Sequence, residues 1–444
     1  MVQKRKYKAA GVEAEDRISH LPDNILHHIL SFLGTEEAVD TCVLSRRWRY
    51  IWMGIHTLDF DEDRMMETTS MKIDLVNFVR RVFRLHDGSV INKVKLSTCE
   101  NCNSNNRNSD LEELVSEILR RKVQELDLFL YDGILMPHSL YCCESLTVMK
   151  LMASSHSTFS LPASVCFPIL KFMHLGYSQF TCGEGIQQVS FSCQVLQEFK
   201  LIECIFDSFE AMHIFVPALE RLNICEWCSE RSNTWRDASP QIKIYAESLV
   251  SLDVFRGLSF DLSLCNVMSL NSASINMKND DYVSNLFHGI QNVKELTLCD
   301  STLEILPSVK VLLALSNLNK LTLTEIRPLN GELFIELLCS VPQIQSFIIS
   351  SGIFKRSFEV YDFKAAEIPN SFLSHLKSFE IQGFFGKESE MYVVEFLLKN
   401  VSAIERVFIK SSPEISENLK KQNEVMRRLL ILPRASASCL IVFS

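Results

Sequence analysis

No run of about 18 consecutive apolar residues occurs in the 444 residues, so no membrane-spanning helix is expected. Cations are not in excess either: 45 Lys and Arg stand against 54 Asp and Glu, a net charge of −9. Nucleic-acid binders draw affinity from cations that release phosphate counterions, so no nucleic-acid partner is expected. There is no Gly-rich phosphate loop, no His-Glu-x-x-His and no nucleophile elbow, and the carboxylates and histidines are scattered. An enzyme therefore finds no support in the sequence.

Residues 1–15 carry Lys4, Arg5, Lys6 and Lys8 with no apolar stretch behind them, unlike a secretory leader. They read as a flexible solvated terminus, a nuclear-import address being the alternative. The 15 cysteines are spread thinly, and no secretory context would oxidise them. Cys99/Cys102 and Cys225/Cys228 have metal-like spacing, but the pairs are far apart and no His stands by either. They read as free thiols in a reducing compartment, cytoplasmic and/or nuclear, with no metal or cofactor expected.

What is present is, first, a small helical module over residues 16–60. Leu21-Pro22-Asp23 opens a helix, with proline at home in a first turn where its missing N–H has no partner. Ile25, Leu26, Ile29, Leu30 and Leu33 then form one apolar stripe, which Gly34 ends. Thr35 is the expected N-cap of a second helix with Glu36 and Glu37 in its first turn, and Ser45 caps a third carrying Trp48 and Trp52. Three helices in so few residues make a marginal core, which is expected to be completed against a partner.

Behind it, over residues 61–365 and into the tail, one triplet keeps returning: an apolar residue, another three on, another two after that. It begins as Ile91/Val94/Leu96 and Val123/Leu126/Leu128, recurs thirteen times, and ends at Ile404/Val407/Ile409; Leu270/Ala273/Ile275 is its weakest member. The interval of roughly 21 to 32 residues brackets the leucine-rich-repeat length. The second and third positions alternate on a short strand and point inward. One such unit cannot bury its apolar side alone, so neighbours must stack into a solenoid with a parallel sheet on its concave face. Cys99 and Cys204 fall eight residues after a triplet start, where such repeats satisfy turn backbone groups. The fold class expected is α/β: a three-helix module, a leucine-rich solenoid and a C-terminal cap.

Two segments resemble known families. Asp16-Arg17-Ile18-Ser19-His20-Leu21-Pro22-Asp23-Asn24-Ile25-Leu26 and Val43-Leu44-Ser45-Arg46-Arg47-Trp48-Arg49-Tyr50-Ile51-Trp52 resemble the F-box of plant F-box proteins. That resemblance implies docking on the Skp-type adaptor, and through it the cullin, of a ubiquitin ligase. Carried over by position, Leu21, Pro22, Ile25, Leu26, Ile29, Leu30, Val43, Leu44 and Trp48 would face the adaptor or shape that face. Leu373-Ser374-His375-Leu376-Lys377-Ser378-Phe379-Glu380-Ile381-Gln382-Gly383-Phe384, Glu395 to Asn400 and Leu432 to Cys439 resemble the FBD domain that ends many plant F-box/leucine-rich-repeat proteins. Residues 366–444 are assigned to it: a strand, an amphipathic helix around Met391 to Asn400 and another strand.

The resemblances imply a substrate receptor that brings a target protein to the ligase without performing chemistry. The alternative is a repeat scaffold or inhibitor that binds a partner without ubiquitination. On the outward side of the strands, Phe129, Met152, Phe172 and His174 form the expected target-binding neighbourhood. Lys93 and Lys95 are expected to neighbour Glu125 and Asp127. No dense cationic cluster appears on this face, which weighs against an inositol-phosphate cofactor.

Overall fold

The computed structural model describes residues 18, 20–68, 74–99, 107–131, 136–226, 240–277, 282–309, 315–324, 331–350 and 370–444. Lys4, Arg5, Lys6, Lys8, Asp16, Arg17, Ser19, Cys102, Cys228 and positions 366–369 lie outside the described residues.

The N-terminal module comprises helices Asp23–Leu30 (α1), Thr35–Asp40 (α2) and Trp48–Ile51 (α3), with a 3-10 turn Thr41–Val43 between the last two. Two caps differ from the sequence reading. Pro22, extended at ψ 151°, precedes α1 instead of lying in its first turn. Gly34 rather than Thr35 caps α2, its N–H donating to the Glu37 carboxylate at 3.0 Å. Ser45 behaves as expected, accepting the Trp48 N–H at 3.3 Å.

A second correction concerns the small core. Leu26, Leu30, Ala38, Trp48, Ile51 and Trp52 are buried in one continuous cluster with Leu58 and Phe60 of the sheet's first strand. The module thus packs its interior against the first strand of its own chain. The strand Thr57–Asp61 follows a further triplet, Ile55/Leu58/Phe60, that the sequence reading grouped with the helices.

From there, parallel strands add in chain order to a single sheet. Its path runs from Thr57–Asp61 through Lys93–Ser97, Glu125–Leu130, Val148–Leu161, Phe172–Cys182, Glu198–Ile202 and Arg221–Cys225. It continues through Ser251–Arg256, Ser272–Met277, Glu295–Cys299, Lys320–Thr324, Ser346–Ile349, Ser378–Phe384 and Arg406–Ser411 to Leu440–Phe443. The triplets set the register: Leu126 pairs with Met149, Met149 with Met173, Met173 with Phe199. Every side chain of the thirteen expected triplets is buried, none more than 8% exposed, and Ala273 lies at 3%. A file of backbone bonds runs alongside, from the N–H of Gln124 to the carbonyl of Asn92 (2.9 Å), Thr147 to Gln124 (2.8 Å) and onward to Leu440 on Glu405 (2.9 Å). Each repeat thereby satisfies the turn of the next.

The convex side changes character along the solenoid. Helices Leu75–Leu85 and Arg107–Arg120 back the early repeats, and Val283–Gly289, Asp300–Val309 and Gly331–Ser340 the later ones. Between them a second parallel sheet takes their place, ordered Asp261–Cys265, Gln241–Tyr245, Ala211–Phe215, Gln188–Ser192, Ser164–Cys166. Its strands alternate buried Val189 and Phe191, Met212 and Ile214, Ile242 and Ile244. That period-two pattern lies between the triplets, within the uneven connecting segments. An apolar cavity of about 40 Å³ lined by Tyr141, Met149, Leu151, Met173, Phe199 and Met212 lies between the sheets. It is far smaller than the ~150 Å³ that holds a benzene-sized ligand.

In the tail, strand Ser378–Phe384, helix Glu388–Asn400 and strand Arg406–Ser411 follow the expected order. Buried Glu390 accepts the N–H groups of Phe385 and Lys387 at 2.9 and 3.1 Å, fixing the turn into the helix. Gly386, at φ +71°, lies where a Cβ would come within 2.7 Å of Val425, so the helix Leu419–Leu430 packs directly on this turn.

Candidate protein-binding interfaces

The N-terminal module divides its apolar residues between two jobs. On α1, Leu26 and Leu30 are buried at 0 and 1%, whereas Ile25 and Ile29, with Leu33 beyond the helix, are exposed. The expected single stripe is thus a band too wide for one small core, and its outer half stays in water. Phe32 (76% exposed), Val43 (84%) and Leu44 (65%) extend that apolar surface, with Tyr50 beyond. Arg47 ties the surface together by pairing with Asp23 and donating to the Leu21 carbonyl at 2.6 Å. This bond brings the Val43–Trp48 segment to the start of α1.

Of the nine residues assigned to adaptor docking, Pro22, Ile25, Ile29, Val43 and Leu44 are exposed and Leu21 is half-buried. Leu26, Leu30 and Trp48 are interior and hold the others in place. Phe32 lies two residues past the end of α1, off the helical spacing that picks out the stripe. Exposing so many large apolar side chains in one short module is unusual for a surface that stays in water. Burying a Val, Leu, Ile or Phe stabilises a complex by about 1.5–3 kcal/mol each, so this surface can hold a partner by desolvation alone.

The outward side of the sheet forms rows set by the register. One row runs Phe129, Met152, Gly176, Ile202, Cys225, Phe255. Phe129 and Phe255 are about two-fifths exposed, and Met152 lies over Gly176, occupying the space a Cβ there would need. Phe172 belongs to a different row, between Val148 and Glu198, and His174 to the one between, flanked by Lys150 and Lys200. The four residues proposed for target binding are therefore on three neighbouring strands but in three rows. Only Phe129 and Met152 are register partners.

His174 belongs to a charged cluster. Glu198 receives Lys200 at 2.7 Å, His174 at 3.1 Å and Arg221 at 3.2 Å. The Lys200 bond, with those of His174 and Arg221, outweighs burial and holds the Glu198 carboxyl at about 2. His174 is pushed down, because burial and the cations Lys200 and Lys150 outweigh its bond to Glu198. Lys93 reaches Glu125 at 3.3 Å as expected. Lys95 is the register partner of Asp127, as expected, and its ammonium lies 3.6 Å from Asp59 on the preceding strand, where Arg64 and Glu36 already concentrate charge.

Cys99 and Cys204 are both buried at turns. Burial pushes the Cys204 thiol up to about 12, and the thiol donates to the Ile202 carbonyl; the Cys99 N–H donates to buried Glu62 at 2.9 Å. The described cysteines are free, and no group of three His, Cys, Asp or Glu among the described residues could hold a metal ion. No helix among the described residues is long and apolar enough to cross a membrane.

Three parts of the chain match known protein families. Residues 18–57 match the F-box domain, residues 111–244 match the LRR repeats of the FBD-associated F-box protein At5g56370, and residues 366–407 match the FBD domain. The chain carries an F-box, leucine-rich repeats and an FBD domain. Similarity extends along almost the whole length of relatives from the plant Arabidopsis thaliana. The putative FBD-associated F-box protein At5g56820 is 27% identical over 97% of this chain and 95% of its own length. The putative FBD-associated F-box protein At5g56440 is 29% identical (97% and 100%), and the putative F-box/FBD/LRR-repeat protein At4g13965 is 29% identical (96% and 98%). An F-box implies binding to a Skp-type adaptor, and the exposed apolar band described above lies within the F-box match. No enzyme family is among these matches.

Proposed function

We propose that this chain is the substrate receptor of a Skp–cullin–F-box ubiquitin ligase. The F-box docks on the Skp-type adaptor, the repeats hold a target protein, and ubiquitin is transferred by other subunits. The observation that carries the reading is the band Ile25, Ile29, Phe32, Val43 and Leu44, exposed on a module whose own core is already complete. The chain contributes proximity, converting an encounter between ligase and target into a nearly intramolecular step. The outward row around Phe129 and Met152 offers the target an apolar strip beside the Glu198 cluster. Such a receptor acts in the cytoplasm and/or nucleus and needs no cofactor of its own.

The test is affinity capture from plant tissue with the proteasome blocked, comparing the parent chain with a Val43→Asp/Leu44→Asp variant. Proteins that gain ubiquitin with the parent and bind without gaining it with the variant support the reading. Bound proteins whose ubiquitination is equal in both point instead to a scaffold that binds without ligation.

A further inference from the structure

The two ends of the main sheet are finished differently. At the N-terminal end the F-box covers the first strand: the Asp59 N–H donates to Thr35, Arg64 bridges Glu36 and Asp59, and Leu58 and Phe60 are fully buried. At the C-terminal end, Leu440–Phe443 pairs only with Arg406–Ser411 among the described residues. Its inward side chains Ile441 and Phe443 are half-buried, while their register partners Val407 and Ile409 are at 0 and 1%. The Leu440 N–H reaches the Glu405 carbonyl at 2.9 Å and the Ser444 N–H the Ile409 carbonyl at 3.0 Å. In a parallel ladder alternate residues face opposite edges, so the N–H and C=O of Ile441 and Phe443 point outward.

Natural sheets blunt such an edge with Lys, Pro, a bulge or a covering element. Leu-Ile-Val-Phe has no lysine or proline, and its pairing register is regular. Only an extended strand satisfies a row of main-chain groups and closes over half-open apolar side chains together. Charge selects among possible strands. Beside the edge, Arg406, Phe408 and Lys410 are exposed on the outward face of the preceding strand, and no ion pair holds either cation among the described residues. Residues 405–444 hold seven Lys and Arg against four Glu, a local net charge of +3 in a chain of net −9. A second copy would bring the same positive surface against itself. A strand added at this edge lies about 10 Å from Arg406 and Lys410, within reach of their side chains.

We propose that the FBD edge strand Leu440–Phe443 is a docking site for an extended segment of a partner protein, alternating apolar and acidic residues. The apolar residues close over Ile441 and Phe443, and the acidic ones meet Arg406 and Lys410. The site is separate from the F-box band and does not depend on adaptor docking.

The experiment titrates the full-length chain with a fluorescent synthetic peptide, Glu-Val-Glu-Ile-Glu-Val-Glu, by anisotropy, with amide exchange read at Ile441 and Phe443. Binding with slowed exchange at those two amides is expected. N-methylation of alternate peptide bonds, Ile441→Pro, which removes an outward N–H, or a lysine-for-glutamate peptide should each weaken binding about tenfold or more, a loss of at least one strand's main-chain or charge contribution. Arg406→Glu/Lys410→Glu should reverse the preference between the acidic and basic peptides. Absence of binding, or N-methylated peptide binding equally well, overturns the proposal. So does concentration-dependent dimerisation that slows the same amides without peptide, since the edge would then belong to a second copy.

Discussion

The hydroxyl of Thr35, buried in α2, accepts the backbone N–H of Asp59 at 2.8 Å. This bond fastens the F-box to the edge of the sheet that carries the repeats. It satisfies a donor that would otherwise face the end of the solenoid, and it fixes the direction in which the exposed apolar band points relative to the outward rows of the sheet.

Thr35→Val keeps the shape and removes the acceptor. A buried N–H left without a partner costs about 1–3 kcal/mol, and denaturant unfolding followed on the Trp48 and Trp52 fluorescence should report a loss in that range. An unchanged midpoint would mean the bond contributes nothing to the junction.

Leu26→Ala and Ile29→Ala lie one turn apart on α1 yet should separate by stability. Leu26 is wholly buried, so its truncation should cost about 2–5 kcal/mol, while Ile29, 40% exposed, should cost under about 1 kcal/mol. Thermal melts of the two variants check the division of the stripe.

Glu198 makes stability depend on acid. Its carboxyl ionises at about 2 in the folded chain against an ordinary 4.5, so the unfolded chain takes up the proton first as pH falls. Its contribution is complete above about 4.5 and disappears on acidification toward 2. Glu198→Gln should therefore cost about 1–2 kcal/mol at neutral pH, a figure kept low because Arg221 and Lys200 are well solvated. The gap from the parent should close between those two pH values in denaturant titrations.

Tyr141 has a buried hydroxyl with no hydrogen-bond partner among the described residues, and burial pushes its phenol upward. Tyr141→Phe removes that penalty beside an apolar cavity and should leave stability unchanged or raise it by about 1 kcal/mol. A clear loss in calorimetric melting temperature would contradict this.

Much of the fold could be read before the structure because repetition amplifies a weak pattern. Any single triplet is ambiguous, but register kept through Ile404/Val407/Ile409 admits only a stacked array. Ile55/Leu58/Phe60 escaped because it abuts the helical module and precedes the next triplet by a longer interval. The second sheet escaped because Gln188–Ser192 and its partners are strands of five residues or fewer, too short to be distinguished from the connecting segments of uneven repeats. The F-box band was legible as apolar, but which half faces water was not, since helical spacing fixes a side only relative to a known neighbour. The same limit applies to Phe172 and His174: strand parity placed them outward, while the rows depend on register between strands. Lys95 chose Asp59 because a strand of the sheet exists where the sequence suggested only helix.

The proposed role for the exposed half of the F-box is docking on the adaptor. Isothermal titration of the purified chain with a Skp-type adaptor, parent against Val43→Asp/Leu44→Asp, addresses it directly. The account predicts binding by the parent, a loss of at least about a hundredfold in the variant, roughly 3 kcal/mol, and superimposable melting curves. Equal affinity for the two chains, with both folded, would contradict it.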